Sequence, residues 1–500
     1  MSVNRIVVEI ETTIDAIGTV ETHYYSTSGF STKPTDTPAN TYVAPRLKSA
    51  GNFRRELFSG TRVTGAVRPS FGEIVLFNND GGLDAWMGYG VSGGKVTIRI
   101  GDEDAAYPAG YTTVYIAYAQ HLVADFAELR VRLRDRMLLL DQPMVTASFA
   151  GTGGLEGSSG TAGKLKQWVA GDPGWFPPIL IDAAAQLYFV QSTGTGGLAS
   201  SFKIYEGALE ITRGANYPDA ATCISTSPAA GQARFWFGTS DDGPVYVRLG
   251  SVPQYDIRVY GFGYQTSGSA FNYGAIAAMA GITGSTGGLF ASRLVNDDST
   301  YLQVLEEQSS VYFQYFGMSR LDAFMAGTFS VPGATAIYSF NQHNAKAWSR
   351  APVQDMDAPV WSVVVNCGEC WPSNLVGAAT ATNKDYLSRE PWQFAFSRND
   401  AAVKTANPGA VAATVEMRSR AYPNAFGQTT FLDSYFDRYG VARDFYTCTV
   451  PLNAETIAIE LHDTVEIKLP RFGLSAGKKM RVITQQIDCD RREITYGMWG

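Results

Sequence analysis

Apolar and polar residues alternate along much of the chain, and this period of two is typical of β-strands whose faces meet different surroundings. In the N-terminal part the alternation predicts five strands bounded by turn residues: Ile6–Ile10, Gly72–Phe77, Lys95–Ile100, Thr113–Ala119 and Glu128–Leu133. A second group of strand-like segments follows: Ile179–Ile181, Leu187–Val190, Phe202–Tyr205, Arg234–Phe237 and Val245–Leu249. We therefore expect strands to dominate the fold.

Helical spacing of apolar residues occurs in three later segments. Ala270–Ala280 ends at Gly281, and Thr430–Tyr439 places four large apolar side chains on one face before Gly440. Ser299 and Thr300 can cap a third helix, which is predicted to run through Phe316 and to stop at Gly317. Three amphipathic helices among many strands predict a β-dominated α+β class.

A chain of 500 residues exceeds the size at which one hydrophobic core stops growing, so several domains are expected. The segment 149–175 is rich in Gly and Ser and marks a boundary, and the Pro-containing stretch 350–359 is expected to pass between domains. The predicted organisation is a β-barrel domain at 1–147, an inserted β domain at 148–255, an α+β module at 256–345 and a second β-barrel domain at 346–500.

The net charge and the distribution of apolar residues argue against some functional classes. The chain carries 40 basic and 47 acidic residues, a formal charge of −7, which argues against a nucleic-acid-binding protein because phosphate contacts need clustered Lys and Arg. The N-terminal sequence lacks the pattern of a secretory signal, and no apolar stretch approaches the length of a membrane span. We expect a protein made in a cytoplasm that stays in solution.

Five cysteines lie at positions 223, 367, 370, 448 and 489, too few and too scattered for a disulfide-stapled domain. Cys367 and Cys370 form a Cys-x-x-Cys pair, which can hold zinc, hold an iron–sulfur cluster or exchange thiols. A metal would need two more ligands, for which Cys448 and Cys489 are the candidates. We favour buried structural thiols and keep a metal site and redox chemistry as alternatives.

The other candidate residues do not form a recognisable catalytic pattern. They are the separated histidines at 23, 121, 343 and 462, the glycine-rich loops Gly151–Gly154 and Gly194–Gly197, the carboxylates Asp102, Glu103, Asp104, Asp297 and Asp298, and the aromatic residues Trp168 and Trp175. The loops lack a partnered nucleophile and the Lys of a phosphate-binding loop. Carboxylate pairs and stacking aromatics remain compatible with sugar binding or cleavage. The sequence assigns no catalytic, cofactor-binding or metal-binding residue.

The C-terminal segment Glu460–Gly500 combines a turn at His462 and Asp463, an alternating strand through Val465 and Leu469, a Pro-Arg-Phe-Gly-Leu loop, two more strands and a closing Trp499-Gly500. This layout resembles the C-terminal domain of hub-type baseplate proteins of long-tailed bacteriophages.

The resemblance extends in order along the chain. The segments that carry it are Phe77–Asp84, which is similar to an Asn-x-Asp-Gly-x-Leu-Asp turn of phage tail proteins, Leu133–Asp135 with Leu140–Pro143, Gly151–Gly157 with Gly163–Lys166, Ala278–Ile282, and Ser299–Phe316 leading into Phe329–Pro332. The chain departs from the family at Asn366–Trp371, where members commonly have a Tyr-Arg-Asn-like segment. Local contacts are expected to differ there.

The resemblance implies a non-enzymatic virion protein with two tube-like β-barrels. A homotrimer would present six barrels in a ring, adapt a sixfold tail tube to a threefold tip, and line or close a channel through which DNA passes without specific binding. The implied partners are a distal tail protein, the tape-measure protein, and a tail spike or central fibre. Two alternatives stay open, a distal tail adaptor ring and a receptor-binding or carbohydrate-degrading tail protein.

Overall fold

A computed structural model describes residues 4–57, 65–68, 72–192, 201–238, 243–263, 273–282, 292–350, 358–371, 373–389, 391–420 and 425–500. The chain divides into two compact units. Unit 1 consists of residues 1–140, 315–357 and 442–500, and unit 2 of residues 141–314 and 358–441. Each unit is therefore assembled from segments that are far apart in the sequence.

Unit 1 contains two large sheets. The N-terminal sheet has seven antiparallel strands in the spatial order Val20–Ser26, Asn4–Thr13, Lys95–Asp102, Tyr111–Ala124, Glu128–Arg134, Gly72–Phe77 and Leu47–Ser49. All five strands predicted in this region are confirmed. Their alternating residues, such as Val8, Ile10, Ile98 and Val131, are buried.

The C-terminal sheet also has seven strands. Six lie in the order Ser339–Asn341, Thr464–Lys468, Lys478–Asp488, Glu493–Trp499, Phe445–Pro451 and Ala347–Arg350, and the seventh, Asn52–Glu56, pairs with Lys478–Asp488. Smaller elements of unit 1 are the sheet Phe324–Thr328, Gln314–Met318 and Gly65–Ala66, the pair Phe30–Ser31 and Tyr42–Val43, the helix Ala454–Ile457 and the 3-10 helix Asp84–Gly88. A further 3-10 helix covers Arg136–Asp141.

Unit 2 combines shorter sheets with helices. Its sheets are Ile179–Asp182, Leu187–Gln191, Val245–Leu249, Gln232–Phe237 and Thr212–Arg213; Trp175–Phe176, Ile257–Tyr260, Lys203–Glu206 and Leu209–Glu210; Trp392–Asn399, Val360–Glu369 and Val411–Met417; and Trp168–Ala170 with Arg293–Val295. Its helices are Ala220–Ser225, Tyr273–Met279, Tyr301–Tyr312, Ala381–Leu387, Ala401–Ala406 and Ala425–Tyr439, with 3-10 turns at Gly154–Glu156 and Ser159–Thr161.

The described residues of unit 2 form several hydrophobic clusters, of which two are large. In the first, the five- and four-stranded sheets share buried residues that include Val190, Phe235 and Val259. In the second, the helix Ala425–Tyr439 places Phe431 and Tyr435 against Val363 and Val365 of the central strand Val360–Glu369. The β-dominated α+β class is thus confirmed, whereas closure of the large sheets into barrels stays a prediction.

One predicted helix ends in the wrong place. The helix Tyr301–Tyr312 begins as expected, with a capping box between Thr300 and Gln303, but it stops at Phe313 rather than continuing through Phe316. Phe313 adopts a left-handed conformation with φ 53°, and its ring stacks on Phe431 at 4.8 Å. Phe316 then lies in the strand Gln314–Met318, paired with Ala66. The apolar spacing typical of a helix continues to Phe316 in the sequence, but strand pairing with a distant segment ends the helix earlier.

The other helix predictions hold in position, with changed bounds. The first is seen as Tyr273–Met279, since residues 270–272 lie outside the described part of the chain, and the third begins earlier, at Ala425. Four short helices were not predicted: Ala220–Ser225, Ala381–Leu387, Ala401–Ala406 and Ala454–Ile457. Within the described residues, no helix is both long and apolar enough to span a bilayer.

The four predicted domains and the two observed units divide the chain differently. Residues 1–147 lie almost wholly in unit 1 and residues 148–255 in unit 2, whereas 256–345 and 346–500 each contribute to both units. The four domain boundaries stay a prediction. Most of the Pro-containing stretch, residues 351–357, lies outside the described residues.

Candidate functional site

One strand connects the two large sheets of unit 1, and we call it the exchanged strand because it comes from the N-terminal part of the sequence but belongs to the C-terminal sheet. Asn52–Glu56 lies in the N-terminal part of the sequence but pairs antiparallel with Lys478–Asp488, placing Phe53 opposite Ile487. Phe53 is 1% exposed and its ring stacks on Tyr115 of the N-terminal sheet, with centroids 4.3 Å apart. A Cβ atom at Gly72 would lie 2.2 Å from the Phe53 ring, so only glycine fits at that position. One strand therefore packs against one sheet while it completes the other.

The same strand contributes Arg55 to a cluster of polar side chains, which we call the clasp and define as Arg55, Arg320, Glu460 and Gln485. Both arginines and Gln485 are buried, and the Glu460 side chain is 30% exposed. Arg55 Nη1 lies 2.6 Å from Glu460 Oε2 and donates to Gln485 Oε1 at 3.0 Å. Arg320 Nε lies 3.0 Å from the other Glu460 oxygen, Oε1. One carboxylate thus bridges two guanidinium groups.

Main-chain oxygens accept further hydrogen bonds from the clasp, whereas Arg55 Nε has no hydrogen-bond partner among the described residues. Arg55 Nη2 donates to Met318 O at 3.1 Å, Arg320 Nη1 to Thr113 O at 2.7 Å, and Gln485 Nε2 to Ile459 O at 2.9 Å. Charge-assisted and main-chain bonds of this kind compensate a buried guanidinium for part of its lost hydration. The clasp holds the N-terminal, middle and C-terminal segments of unit 1 in one arrangement.

The turn Asn78–Asp84, which carries part of the sequence resemblance, is held by its own polar side chains. Asn78 accepts from the Leu83 main-chain N–H at 2.8 Å and donates to Asp84 at 2.9 Å. Arg46 donates to both oxygens of Asp80, at 2.7 and 2.6 Å, and holds the pKa of that carboxyl well below its usual range. The acidic residues of this turn therefore stabilise the turn itself, and the Asp80 carboxylate is already paired with the Arg46 guanidinium group.

The His462–Asp463 turn has an equally structural role at the C-terminal end. His462 has φ 73°, its ring packs against Tyr315 and Phe329, and its Nε2 accepts the Ser330 main-chain N–H at 3.3 Å. Asp463 accepts the Glu460 main-chain N–H at 2.7 Å, and burial raises the pKa of the Asp463 carboxyl. This turn therefore positions Glu460 at the clasp.

The closing Trp-Gly of the sequence is part of the same core. Trp499 is 1% exposed, packs on Phe329 at 5.1 Å and lies under the guanidinium of Arg443 at 5.2 Å. In the Pro-Arg-Phe-Gly-Leu loop, Leu474 is buried, whereas Phe472 is 71% exposed. The segment that carries the resemblance thus supplies three neighbouring interior strands of the C-terminal sheet and part of its core.

All five cysteines are buried thiols outside any disulfide, as predicted. Cys367 lies within the strand Val360–Glu369 rather than after it, and its side chain belongs to the apolar core of unit 2. Cys370 Sγ lies 3.7 Å from Tyr386 O. Burial raises the pKa of the Cys223 thiol to about 11 and those of Cys448 and Cys489 further. Thiols of such high pKa are poor nucleophiles.

The metal alternatives find no support in the geometry. Within the described ranges, no three His, Cys, Asp or Glu side chains are grouped closely enough to hold a metal ion. His23 hydrogen-bonds Thr12 Oγ1 at 2.8 Å and packs on Trp86, and burial lowers its pKa. His121 and His343 are exposed. The structure thus keeps the four histidines in separate environments.

The candidates for sugar chemistry are also engaged in structural contacts. Trp168 and Trp175 are 8% and 9% exposed, and Trp175 stacks on Tyr205 at 3.8 Å, so the aromatic candidates belong to the core. Glu103 lies 3.8 Å from the Arg5 guanidinium, and Asp297 accepts the Ser299 main-chain N–H. Gly151–Gly154 forms an irregular loop with three positive φ angles, and Gly194–Gly197 lies outside the described residues.

A cleft of about 840 Å³ in unit 1 was not predicted from the sequence. Its wall presents carboxylates that already have partners: Glu73 lies 3.6 Å from both Arg130 and Arg132, and Asp490 accepts the Ser49 hydroxyl. The lining residues come from strands that are distant in sequence, so no local pattern could have identified the cleft.

Comparison with known proteins gives tail proteins of low sequence identity. A tail protein from Neisseria meningitidis MC58 is 8% identical with a TM-score of 0.45, over 99% of this chain and 96% of that one. A 43 kDa prophage tail protein from Shewanella oneidensis is 8% identical with a TM-score of 0.39, over 99% and 98%. A prophage tail protein from Listeria monocytogenes is 7% identical with a TM-score of 0.37, over 99% and 94%.

Two further structures are of whole assemblies, the virion of a native gene transfer agent particle and a p2 virion baseplate in activated conformation. None of these five structures is described as a hub. No family model matches the chain. No curated protein matches it either.

Proposed function

We propose that the chain is a non-enzymatic structural protein of a phage tail, and that within the tail it is the baseplate hub. Three copies would form a ring that adapts the sixfold tube to a threefold tip and lines or closes the DNA channel. Its site of action is then a set of subunit interfaces, and its location is the virion. The turns that carry the sequence resemblance support a structural role, because their polar side chains hydrogen-bond within the fold.

The observation that carries the hub assignment is the pair of seven-stranded sheets in unit 1. The exchanged strand and the clasp fix the two sheets as one pair within a single subunit. A trimer of such pairs has six large sheets, which is the number that a sixfold tube requires, while its own symmetry is threefold. A subunit with one sheet would need six copies to make the same match.

The proposed partners follow from this position in the tail. A distal tail protein would contact the ring on the tube side, the tape-measure protein would occupy its bore, and a tail spike or central fibre would lie below. DNA would pass without specific binding, which agrees with a formal charge of −7.

The copy number of the purified protein tests the proposal. A native mass of three times the 54.1 kDa of the chain supports the hub. Six copies would favour the distal tail adaptor ring instead. A protein that stays a single copy and releases sugars from host envelope polysaccharide would support the carbohydrate-degrading alternative and contradict the hub.

A further inference from the structure

Several strands of the N-terminal sheet end at the same side of that sheet. Thr13 pairs with Val20 across the turn 14–19, Lys95 pairs with Tyr118, and Phe77 pairs with Glu128. Tyr111–Ala124 continues beyond the start of its neighbour Lys95–Asp102, so the hairpin 119–129 projects past that neighbour. We call this side the turn end, comprising the turn 14–19, the hairpin tip 123–128 and the segment 77–84.

The turn end exposes large apolar side chains. Phe126 is 101% exposed, Ile17 90% and Val20 61%, and Val123 and Phe77 are each 42% exposed. Val20, Val123 and Phe77 lie on strands of one sheet, and Ile17 and Phe126 lie in the adjoining turns. Neighbouring strands are about 4.8 Å apart, so the set extends over roughly 24 Å. Large apolar side chains exposed together at one end of a sheet mark an interaction surface.

The turns that present these side chains are held rigidly. Asp15 accepts the main-chain N–H groups of Ile17 and Thr19 at 3.2 and 2.9 Å. Asp125 does the same for Ala127 and Glu128, both at 2.8 Å. A surface whose main chain is already held in its turns loses less conformational entropy on binding.

The charges around these side chains are mainly acidic. Over residues 11–21, 46–48, 77–84, 93–95 and 123–128 there are seven carboxylates and three basic groups. Two of the basic groups are already paired, Arg46 with Asp80 and Lys48 with Glu128. An acidic surface repels a second copy of itself and an anionic lipid surface, and attracts a basic one.

We infer that the turn end docks a different protein, whose contact face has apolar recesses edged by Lys and Arg. This inference rests on the proposed function, because the partner is another component of the same tail. Phe126 and Ile17 fill the recesses, and the unpaired carboxylates meet the basic edge.

Incorporation into assembled tails tests the docking surface. The double variant Ile17→Ser, Phe126→Ser is expected to enter tails about tenfold less than the wild type, since truncation of central apolar anchors commonly costs that factor. Glu21→Lys changes an exposed carboxylate that holds no turn together, and it should reduce incorporation by a smaller factor. Phe472→Ser is the matched control, an exposed Phe in the Pro-Arg-Phe-Gly-Leu loop, and should enter tails like the wild type.

Melting of the purified variants at the wild-type temperature shows that they fold. A photoreactive benzoylphenylalanine in place of Phe126 should crosslink, in tails, to a different protein at an apolar segment next to Lys or Arg. Equal incorporation of the double variant, a crosslink to this same chain, or binding to phosphatidylglycerol vesicles that the double variant loses would overturn the inference and leave the proposed function intact. Absence of the wild-type chain from purified tails would overturn both.

Discussion

Two buried arginines, one in each unit, meet their carboxylates in different ways. The side chains of Arg55 in unit 1 and Arg293 in unit 2 are each 2% exposed. Arg55 lies 2.6 Å from Glu460 and also donates to an amide oxygen and a main-chain oxygen. Arg293 lies 3.0 Å from Glu307 and 3.7 Å from Glu369. The first ion pair is the shorter, and we call the second, in which two carboxylates share one arginine, the looser site.

Burial disfavours the charged forms at both sites, because it lowers the pKa of Arg320 in the clasp as well as that of Arg293. In unit 2, burial also raises the pKa of Glu307, so both members of that pair are less readily charged than in water. A buried ion pair stabilises a fold only where its contacts replace the lost hydration. We therefore expect the clasp, which has the shorter ion pair, to contribute more stability than the Arg293–Glu307 pair.

The largest predicted effect follows removal of the shared carboxylate of the clasp. Glu460→Gln leaves Arg55 and Arg320 buried without a counter-charge, and we expect the free energy of unfolding to fall by about 3 kcal/mol. Urea denaturation followed by circular dichroism measures the loss. Glu21→Gln, an exposed site in the same unit, is the control and should change stability by less than about 0.5 kcal/mol. Equal stability of both variants would show that the clasp is not a joint.

A smaller loss is expected at the looser site. Glu307→Gln at pH 7 removes one partner of Arg293 but also removes the cost of burying a carboxylate, so the free energy of unfolding should fall by only about 1 kcal/mol. The same denaturation experiment applies, with the exposed Glu416→Gln as the control in unit 2. A loss as large as that of Glu460→Gln would contradict the contrast between the two sites.

The stability contributed by Glu307 should depend on pH. The pKa of Glu307 is raised above its ordinary 4.5 in the folded chain, so the folded chain binds this proton more tightly than the unfolded chain. That contribution is fully present below about 4.5 and is lost as the pH rises through the folded value. The wild type should therefore gain stability relative to Glu307→Gln as the pH falls from 7 to 5. If the difference in stability between the wild type and Glu307→Gln stayed constant from pH 7 to 5, the Glu307 carboxyl would not be the source of a pH-dependent stability.

The smallest effect concerns the cysteines. Because all five thiols are buried in both units and burial raises the pKa of three of them, we expect a zinc chelator to leave the melting temperature unchanged. Native protein at pH 8 should react with a thiol reagent far more slowly than unfolded protein. A fall in melting temperature on chelation, abolished in Cys370→Ala, would instead indicate a metal at the Cys-x-x-Cys pair.

Local pattern and tertiary context each account for part of the agreement between sequence and structure. Gly72–Phe77 and Val245–Leu249 were predicted with the bounds that they have. The first alternates buried and more exposed residues, and the second is buried at all five positions. The helix at Thr300 failed only at its end, where Phe313 leaves helical geometry to stack on Phe431. The short helices were missed because a single turn has too few residues to show a period.

The clasp shows why the sequence analysis did not identify the charged residues that meet in unit 1. Arg55 and Glu460 are 405 positions apart, and neither lies in a recognisable motif. The sequence alone determined the β-dominated class, the positions of the main strands and the buried state of the cysteines, because these depend on local periodicity and on apolar character. Only the tertiary structure decided that Asn52–Glu56 joins the C-terminal sheet, which charges meet there and which apolar side chains stay exposed at the turn end. Those outcomes depend on contacts between distant segments, which no local pattern encodes.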